Sequence, residues 1–245
     1  MTWQDGRTKG EWVVEVERLI KYYGSKPVLT GLELKVAAGD FVTIFGSNGA
    51  GKTTLIKILS TIMKASSGKV TIAGLDIRHQ AARVRQRIGL VSHDLFLYEN
   101  LTAYENLKFY GMMYNVPDLE QCIRTVIAQV GMEARLHDRV CTLSHGMRRR
   151  ISIARAVLHK PDILLLDEPE SGLDQQSSQM LADLLCSLVQ GQCTVIMTTH
   201  NLERGLRLGT RAAILARGKI VRQESQPLPD VESFATIYRQ HTGAQ

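Results

Sequence analysis

The chain has 245 residues, of which 44% are hydrophobic and 22% charged, and its formal net charge is +6. This length can bury the core of one α/β domain or of two small ones. No window approaches the roughly 18 consecutive apolar residues of a transmembrane helix, and the polar residues 1–11 lack the apolar core of a signal peptide. These features exclude a membrane-spanning chain and favour a cytoplasmic location.

The cysteines and the net charge restrict the function only weakly. Cys122, Cys141, Cys186 and Cys193 form no C-x-x-C pair, so zinc, redox and haem-attachment motifs find no support. We expect reduced, mostly buried thiols. The positive charge is compatible with nucleic acid, acidic phospholipid or nucleotide phosphate as a partner, and also with no role beyond solubility.

The first third of the chain is predicted to be rich in strands. Residues 12–23 and 32–36 alternate apolar and polar positions, as half-buried strands do. The continuous apolar run at 41–45 is typical of a strand covered on both faces. It leads into GSNGAGKTT and a predicted helix in LIKILSTIM. Residues 68–77 are strand-like again and close this front portion.

Helical periods dominate from about residue 83 to 159. In ENLTAYENLKFYGMMY the apolar residues recur at the spacing of one helix face: Leu101, Tyr104, Leu107 and Tyr110 or Gly111. Asn100 or Thr102 is the expected N-cap of this helix.

The last third alternates strands and helices. Apolar strands are predicted at 162–167 and 193–199, with a helix at 175–190 between them. A hairpin is predicted at 212–221, followed by a short amphipathic helix in the tail. Strand–helix alternation with buried apolar strands predicts a mainly parallel sheet flanked by helices, an α/β fold.

The predicted domain organisation follows from these elements. One α/β domain covers 12–222 and carries an antiparallel β front portion. A helical subdomain at 88–160 is inserted into it, and 223–245 form a C-terminal tail with a short helix.

A phosphate-binding loop follows the strand at 41–45. GSNGAGKT matches G-x-x-x-x-G-K-[ST], and the strand before it and the helix after it argue against a chance glycine turn. Its glycines allow successive backbone N–H groups, and the positive end of the helix dipole, to face an anion. The residues expected to bind phosphate are Gly46, Ser47, Asn48, Gly49, Ala50, Gly51, Lys52, Thr53 and Thr54.

Side chains of this loop and of a later strand complete a predicted P-loop NTPase site. Lys52 is expected to reach the β- and γ-phosphates, and the Thr53 hydroxyl to ligate Mg²⁺. The strand in ILLLDEP ends in Asp167, with Glu168 next, and neighbouring side chains on a strand point differently. We expect Asp167 to meet the Mg²⁺ shell and Glu168 to act as general base on the attacking water.

With these motifs the chain resembles the ATP-binding cassette ATPases of ABC transporters, over about residues 12–222. The resemblance implies the ABC ATPase fold and ATP as the nucleotide. LSHGM stands where that family has its LSGGQ-type signature, which implies that Ser144 and Gly146 contact the γ-phosphate of ATP bound by the opposite subunit. Arg148, Arg149 and Arg150 follow at about 100° intervals on a helix, so they form no flat DNA-reading stripe, and no nucleic acid is expected.

Other positions match the family pattern or depart from it. Tyr23 resembles the aromatic residue that stacks on adenine, with Tyr22 as a rival. His200 resembles the switch histidine that hydrogen-bonds the γ-phosphate, as a catalytic residue beside Glu168 and Lys52. Asp174, in SGLD, matches the loop near the dimer seam. His93 replaces the usual glutamine at the metal, and His145 replaces a signature glycine, where a backbone with φ > 0 would cost about 1 kcal/mol.

The resemblance also implies partners. The expected active unit is two cassettes, as a homodimer, on a separate integral membrane subunit at the inner face of the cell membrane. That subunit would insert into a groove at 94–100, including Phe96, Leu97 and Tyr98, unless these residues pack inside the helical subdomain. The wording of the motifs is similar to the haem-exporter ATPase subunit of cytochrome c maturation and to ABC-2-type drug or polysaccharide exporter ATPases.

Two alternatives of other classes stay open. A soluble ABC ATPase acting on nucleic acid would need a coiled-coil insertion or a second cassette. A nucleotide-binding regulator without turnover would need a defective base, whereas Glu168 is present.

Overall fold

The computed structural model describes residues 12–172 and 174–243. The polar segment 1–11, on which the signal-peptide argument rests, lies outside the described residues. Leu173 and the last two residues lie outside them as well.

An antiparallel sheet forms the front of the molecule. Its strands are β1 (Trp12–Tyr23), β2 (Lys26–Ala37), β4 (Ser67–Ile72) and β5 (Leu75–Asp76), in the spatial order β2-β1-β4-β5. The strand predicted at 32–36 is therefore the second half of a longer one. The alternation of apolar and polar residues is seen only in this second half. There the apolar side chains Leu32, Leu34 and Val36 are buried in the core.

A second, mainly parallel sheet forms the centre. Its strands are β3 (Phe41–Phe45), β6 (Ile88–Val91), β7 (Ile163–Asp167), β8 (Thr194–Thr199), β9 (Arg211–Ala216) and β10 (Lys219–Ser225). The order is β10-β9-β3-β8-β7-β6, with β10 antiparallel at one edge and parallel pairing between the other neighbours. The predicted mixed α/β architecture is confirmed, as is the hairpin, which β9 and β10 form.

The predicted helical block was wrong at its beginning. Residues 88–91, assigned to the helical subdomain, form β6 and pair in parallel with β7. Four residues are too few to show a strand period against the helices that follow. Gly89 lets α5 (His145–Val157) pack closely on this strand, because a Cβ there would lie 2.2 Å from the Ala156 carbonyl oxygen.

The other helices are α1 (Lys52–Leu59), α2 (Ala81–Arg85), α3 (Ala103–Met113), α4 (Leu119–Gln129), α6 (Gln175–Gln190), α7 (Leu202–Leu208) and α8 (Val231–Thr242). The helix expected in LIKILSTIM begins earlier, at Lys52, and ends earlier, before a left-handed residue at Thr61 (φ 65°). Thr102, rather than Asn100, caps α3. Its hydroxyl accepts from the Glu105 N–H while the Glu105 carboxylate accepts from the Thr102 N–H, a reciprocal capping box.

The core fills both faces of the central sheet. One cluster joins the antiparallel sheet and α1 to one face, and another joins α3, α4, α5 and α6 to the opposite face. In the tail, Phe234 of α8 is buried against Phe45 with ring centroids 4.9 Å apart. The helix that follows the last hairpin is thereby anchored to the strand that precedes the phosphate loop.

The expectation of mostly buried thiols was wrong. Cys193 is buried, and burial raises its pKa to about 11, but Cys122 is half-buried and Cys141 and Cys186 are exposed. All four are free thiols. Composition does not determine cysteine burial, because each position depends on the helix face or loop that carries it.

The capping box gives a test of the fold. We expect Thr102→Ala to lower the free energy of unfolding by about 1 kcal/mol, because an N–H group at the start of α3 loses its acceptor. Urea denaturation at neutral pH measures this loss. The matched control is Thr125→Ala on α4, whose exposed hydroxyl bonds only back to Gln121 of its own helix, with an expected change within about 0.5 kcal/mol. Equal effects of the two substitutions would contradict the capping argument.

Candidate functional site

The predicted phosphate loop connects β3 to α1 as a tight turn with an exposed apex. Gly49 and Gly51 have left-handed φ angles of 81° and 108°, which glycine adopts without strain. A Cβ at Gly51 would lie 2.8 Å from the Leu29 side chain. Ser47 and Asn48 are exposed at the apex. The glycine spacing is therefore required by this backbone.

The start of α1 is suited to an anion. Within the described residues no side chain caps this helix and no acidic residue lies in its first turn. Its first N–H groups and the positive end of its dipole therefore face the loop with no acidic residue of the helix's own first turn beside them. Backbone groups of this kind bind phosphate. Thr53 is exposed in the first turn, and Thr54 is buried.

Lys52, Glu168 and His200 form one cluster. The Lys52 ammonium donates to the Gly46 carbonyl oxygen at 2.7 Å and lies 3.2 Å from Glu168 Oε1. His200 Nδ1 lies 3.3 Å from Glu168 Oε2. Lys52 is buried, whereas His200 is exposed. The three residues predicted as catalytic come from different segments, and the structure brings them into direct contact around the Glu168 carboxylate.

Asp167 and Glu168 point in different directions, as expected for neighbours at a strand end. Asp167 is buried, and its Oδ1 accepts a hydrogen bond from the Thr198 hydroxyl at 2.7 Å. Glu168 has a left-handed backbone, with φ 46°. The chain thus turns sharply at Glu168 and directs its carboxylate towards the phosphate loop.

Oxygen donors near the carboxyl ends of β3 and β7 suit Mg²⁺. Thr53 supplies a hydroxyl and Asp167 a carboxylate, which are the hard oxygen donors that Mg²⁺ prefers. The described residues contain no cluster of three or more His, Cys, Asp or Glu side chains that could hold a metal on its own. His93 lies exposed in the loop after β6, and its metal role stays a prediction.

The signature stretch begins α5. The Ser144 hydroxyl accepts from the Met147 N–H at 3.3 Å and caps this helix, and Ser144 is exposed. His145 is the first helical residue and has no left-handed φ, so the histidine in place of glycine brings no backbone strain. Its ring lies against Gly172, where an added Cβ would be 2.9 Å from His145 Cε1.

The arginines after the signature are directed into the fold. Arg148 donates to the Leu143 and Cys141 carbonyl oxygens, each at 2.9 Å, and contacts Glu99 at 3.4 Å. Arg150 donates to the Ser177 hydroxyl at 2.6 Å. Arg149 is buried. Backbone carbonyls, more than acidic side chains, accept the hydrogen bonds of this basic run.

The remaining predicted residues are placed as follows. Tyr22 and Tyr23, 48% and 47% exposed, end β1 side by side, so exposure does not choose between them. Asp174 caps α6 by accepting from the Ser177 N–H at 2.7 Å, and hydrogen bonds from the backbone and hydroxyl of Ser177 lower the pKa of its carboxyl.

Sequence analysis missed several residues beside the site. The carbonyl oxygen of Thr198 accepts from the Glu168 N–H at 3.0 Å, and the Thr199 hydroxyl donates to the Glu170 carboxylate. Arg149 was noted only as part of a basic run. No local pattern identifies Arg149. Thr198 and Thr199 could have been noticed, because they end an apolar strand that follows the Asp167-Glu168 pair in sequence.

The family model that matches more than half of the chain, the sequence relatives and the solved structures indicate the same family. A family model described as ABC transporter matches residues 29–171. The linearmycin resistance ATP-binding protein LnrL of Bacillus subtilis (strain 168) is 36% identical over 211 residues, which cover 85% of this chain and 68% of that protein. The daunorubicin resistance ATP-binding protein DrrA3 of Streptomyces coeruleorubidus is 34% identical, with 85% and 66% covered. The Nod factor export ATP-binding protein I of Rhizobium meliloti (strain 1021) is 34% identical, with 84% and 62% covered.

Solved structures agree with the sequence relatives. A structure described as the ATP binding subunit of an ABC transporter has a TM-score of 0.83 at 25% identity and covers 95% of both chains. A dimeric post-hydrolysis structure of the ATP-binding cassette MJ0796, bound to ADP and Pi, has a TM-score of 0.80 at 26% identity and covers 86% of this chain and 98% of that one.

The chain therefore belongs to the ABC transporter ATP-binding family, has the ABC ATPase fold and is an ATPase. The predicted resemblance is confirmed at this level. Among the described residues, no helix combines the length and the apolar character needed to cross a membrane.

Substitution of Gly46 tests the loop geometry. A Cβ there would lie 2.7 Å from the Leu215 carbonyl oxygen of β9, so Gly46→Ala must displace the loop and the carbonyl that receives Lys52. We expect the Kd for ATP to rise at least tenfold, about 1.4 kcal/mol, by equilibrium dialysis with labelled nucleotide. Gly191→Ala is the control, because its Cβ would lie 3.3 Å from the Leu188 and 3.6 Å from the Ser187 carbonyl oxygen, at the end of α6 and away from the loop. Unchanged affinity in a folded Gly46→Ala protein would refute the argument.

Proposed function

We propose that this ATPase energises an ABC-2-type exporter, working as a dimer on a separate integral membrane subunit at the cytoplasmic face of the membrane. The observation that carries the proposed hydrolysis is the contact of Glu168 with both Lys52 and His200 beside the phosphate loop. The exporter class is supported by relatives named for resistance to linearmycin and daunorubicin and for Nod factor export.

The proposed chemistry assigns one task to each side chain of the cluster. Lys52 binds the β- and γ-phosphate oxygens, exchanging its contact with Glu168 for phosphate. Glu168 then accepts a proton from the water that attacks the γ-phosphate, and His200 donates a hydrogen bond to the same phosphate. Thr53 and Asp167 are the residues that would hold Mg²⁺, with His93 at the same edge. When bound, this ion neutralises charge on the phosphate oxygens.

A homodimer is the proposed active unit. Ser144 is exposed at the start of α5, where helix N–H groups favour an anion, and Gly146 follows in the same turn. These residues are proposed to contact ATP held by the other subunit. The dimeric state of the MJ0796 cassette supports this arrangement.

An exposed aromatic and methionine surface on and beside α3 supports docking of a membrane subunit. We define the α3 surface as Phe96, Tyr98, Phe109, Met112 and Met113, all exposed. The rings of Tyr98 and Phe109 lie edge to face at 5.2 Å, and Leu97 packs inward on the helical core. Only part of the expected groove is therefore buried inside the subdomain. Exposed apolar patches of this kind mark interaction sites.

The names of the relatives favour a different transported substrate from haem. Haem finds no support in the names of the relatives reported above, which favour the drug-exporter alternative stated from the sequence. The arginine run gives no support to the nucleic-acid alternative, because Arg148 and Arg150 bond within the fold and Arg149 is buried.

Glu168→Gln tests the hydrolysis proposal. We expect the kcat for ATP to fall by about 10²-fold or more, because the amide cannot accept the proton, while ATP binding is retained. An ATP-bound dimer should then accumulate and be seen by size-exclusion chromatography with light scattering. Glu232→Gln, at an exposed position of α8, is the control and should keep its kcat within about twofold. Wild-type hydrolysis in Glu168→Gln would remove Glu168 from this role.

Introducing negative charge on the α3 surface tests its proposed role in docking. Met112 and Met113 are 64% and 61% exposed, so the double change Met112→Glu, Met113→Glu should leave the fold intact and weaken binding of the membrane subunit by roughly tenfold or more. The measurement is quantitative co-purification from native membranes, with thermal unfolding as the folding check. Val231→Glu is the control, an exposed apolar residue on α8.

Identification of the co-purified subunit tests the exporter class in the same experiment. A drug- or oligosaccharide-exporting permease would support it. A dedicated haem-handling partner, or no membrane protein at all, would overturn it.

A further inference from the structure

Arg149 is an unusual arginine for a helix so close to the site. It lies on the inner face of α5 and is only 2% exposed. Burying a guanidinium is costly unless its donors are satisfied. Its surroundings should therefore explain why a charged side chain occupies this position.

The guanidinium bonds to backbone carbonyls on two segments. Nε donates to Pro169 O and Nη2 to Glu168 O, each at 3.1 Å, and Nη1 donates to Ser92 O. Ser92 follows β6, whereas Glu168 and Pro169 follow β7. A single planar side chain thus joins the loop that carries His93 to the turn that carries Glu168.

The Glu168 turn needs such support. With φ 46°, Glu168 has a left-handed backbone that residues with a Cβ adopt at a cost. Its N–H is held by the Thr198 carbonyl oxygen at 3.0 Å, and its own carbonyl by Arg149. This pair of bonds sets the direction of the side chain, whose carboxylate then lies 3.2 Å from Lys52 and 3.3 Å from His200.

Nearby carboxylates compensate the buried charge. Burial lowers the pKa of the Arg149 guanidinium, and the negative charges of Glu170 and Asp167 oppose that effect. Arginine stays charged even when desolvated. Charged donors form stronger bonds to carbonyls than neutral ones, so the clamp is stiffer than an amide at this position would provide.

We infer that Arg149 is a positioning residue for ATP hydrolysis: it holds the backbone of Glu168 in the left-handed conformation that aims the proposed general base at the phosphate loop. This inference rests on the proposed function of Glu168. Because Ser144 caps α5, the helix that presents the signature residues also carries the clamp. The position of the glutamate is thereby tied to the position of that helix.

Arg149→Lys separates positioning from simple packing. Lysine keeps the charge, but one ammonium cannot reproduce the planar fork that reaches the carbonyls of both segments. We expect kcat to fall by roughly 10- to 100-fold, the loss expected from misplacing a reacting group by about 1 Å, with the KM for ATP changed less than about threefold. Arg211→Lys is the control, a buried arginine paired with Asp40 at the opposite end of the central sheet.

A double-mutant cycle decides whether Arg149 acts through Glu168. In a Glu168→Gln background, Arg149→Lys should cause little further loss of the slow residual hydrolysis, measured with labelled ATP, because the base it positions is already absent. A full additive loss, a rise in KM as large as the fall in kcat, or a loss equal to that of Arg211→Lys would overturn the inference. If Arg149→Lys fails to fold, Arg149→Gln replaces it in the same cycle.

Failure of the inference is distinguishable from failure of the proposed function. If the wild type does not hydrolyse ATP, or Glu168→Gln hydrolyses it normally, the proposed function fails. If Glu168→Gln abolishes turnover but Arg149→Lys behaves like the control, only the role of Arg149 fails.

Discussion

Parallel pairing of β7, β8 and β3 is the constraint on which the rest of the structure depends. Phe45 pairs with Thr199 and Asp167 with Thr198, so these strands end at nearly the same level. The segments that leave them, carrying Lys52, Glu168 and His200, emerge at one edge of the sheet. Lys52 and Glu168, more than a hundred positions apart in the chain, are thereby brought together by strand pairing. The glycine loop and the left-handed turn at Glu168 then set the final positions of Lys52 and the Glu168 carboxylate.

The helical layer adds a second constraint to that edge. The exposed Ser144 caps α5, and about one turn and a half later the helix buries Arg149 under the Glu168 turn. One rigid element therefore connects the surface proposed to meet another subunit with the proposed general base. The α3 surface belongs to the same layer, because α3 and α5 share a hydrophobic cluster. The surface proposed to dock a membrane subunit and the helix that reaches the site are therefore packed in the same hydrophobic cluster.

The departures from the family pattern are accommodated by local geometry. His145 lies in a helical conformation, so the signature helix forms without the glycine that the resemblance suggested. Its ring rests on Gly172, which has a left-handed φ of 77° and where an added Cβ would lie 2.9 Å from the ring. His93 remains exposed beside Ser92, whose carbonyl Arg149 holds. These substitutions leave intact the backbone on which the site is built.

The sequence by itself determined the features that depend on neighbouring residues. The phosphate loop, the buried strands after residues 40 and 162 and the helix at 175–190 were predictable, because glycine spacing and apolar periodicity are local properties. Only the tertiary structure decided the features that depend on distant partners. β6 is too short to be recognised from its sequence pattern, and it is defined by its pairing with β7. The sequence shows Arg149 only as one member of a basic run, whereas the fold surrounds it with the carbonyls of Ser92, Glu168 and Pro169. A buried charge is stable only where packing brings acceptors to it, and no local pattern encodes which segments those will be.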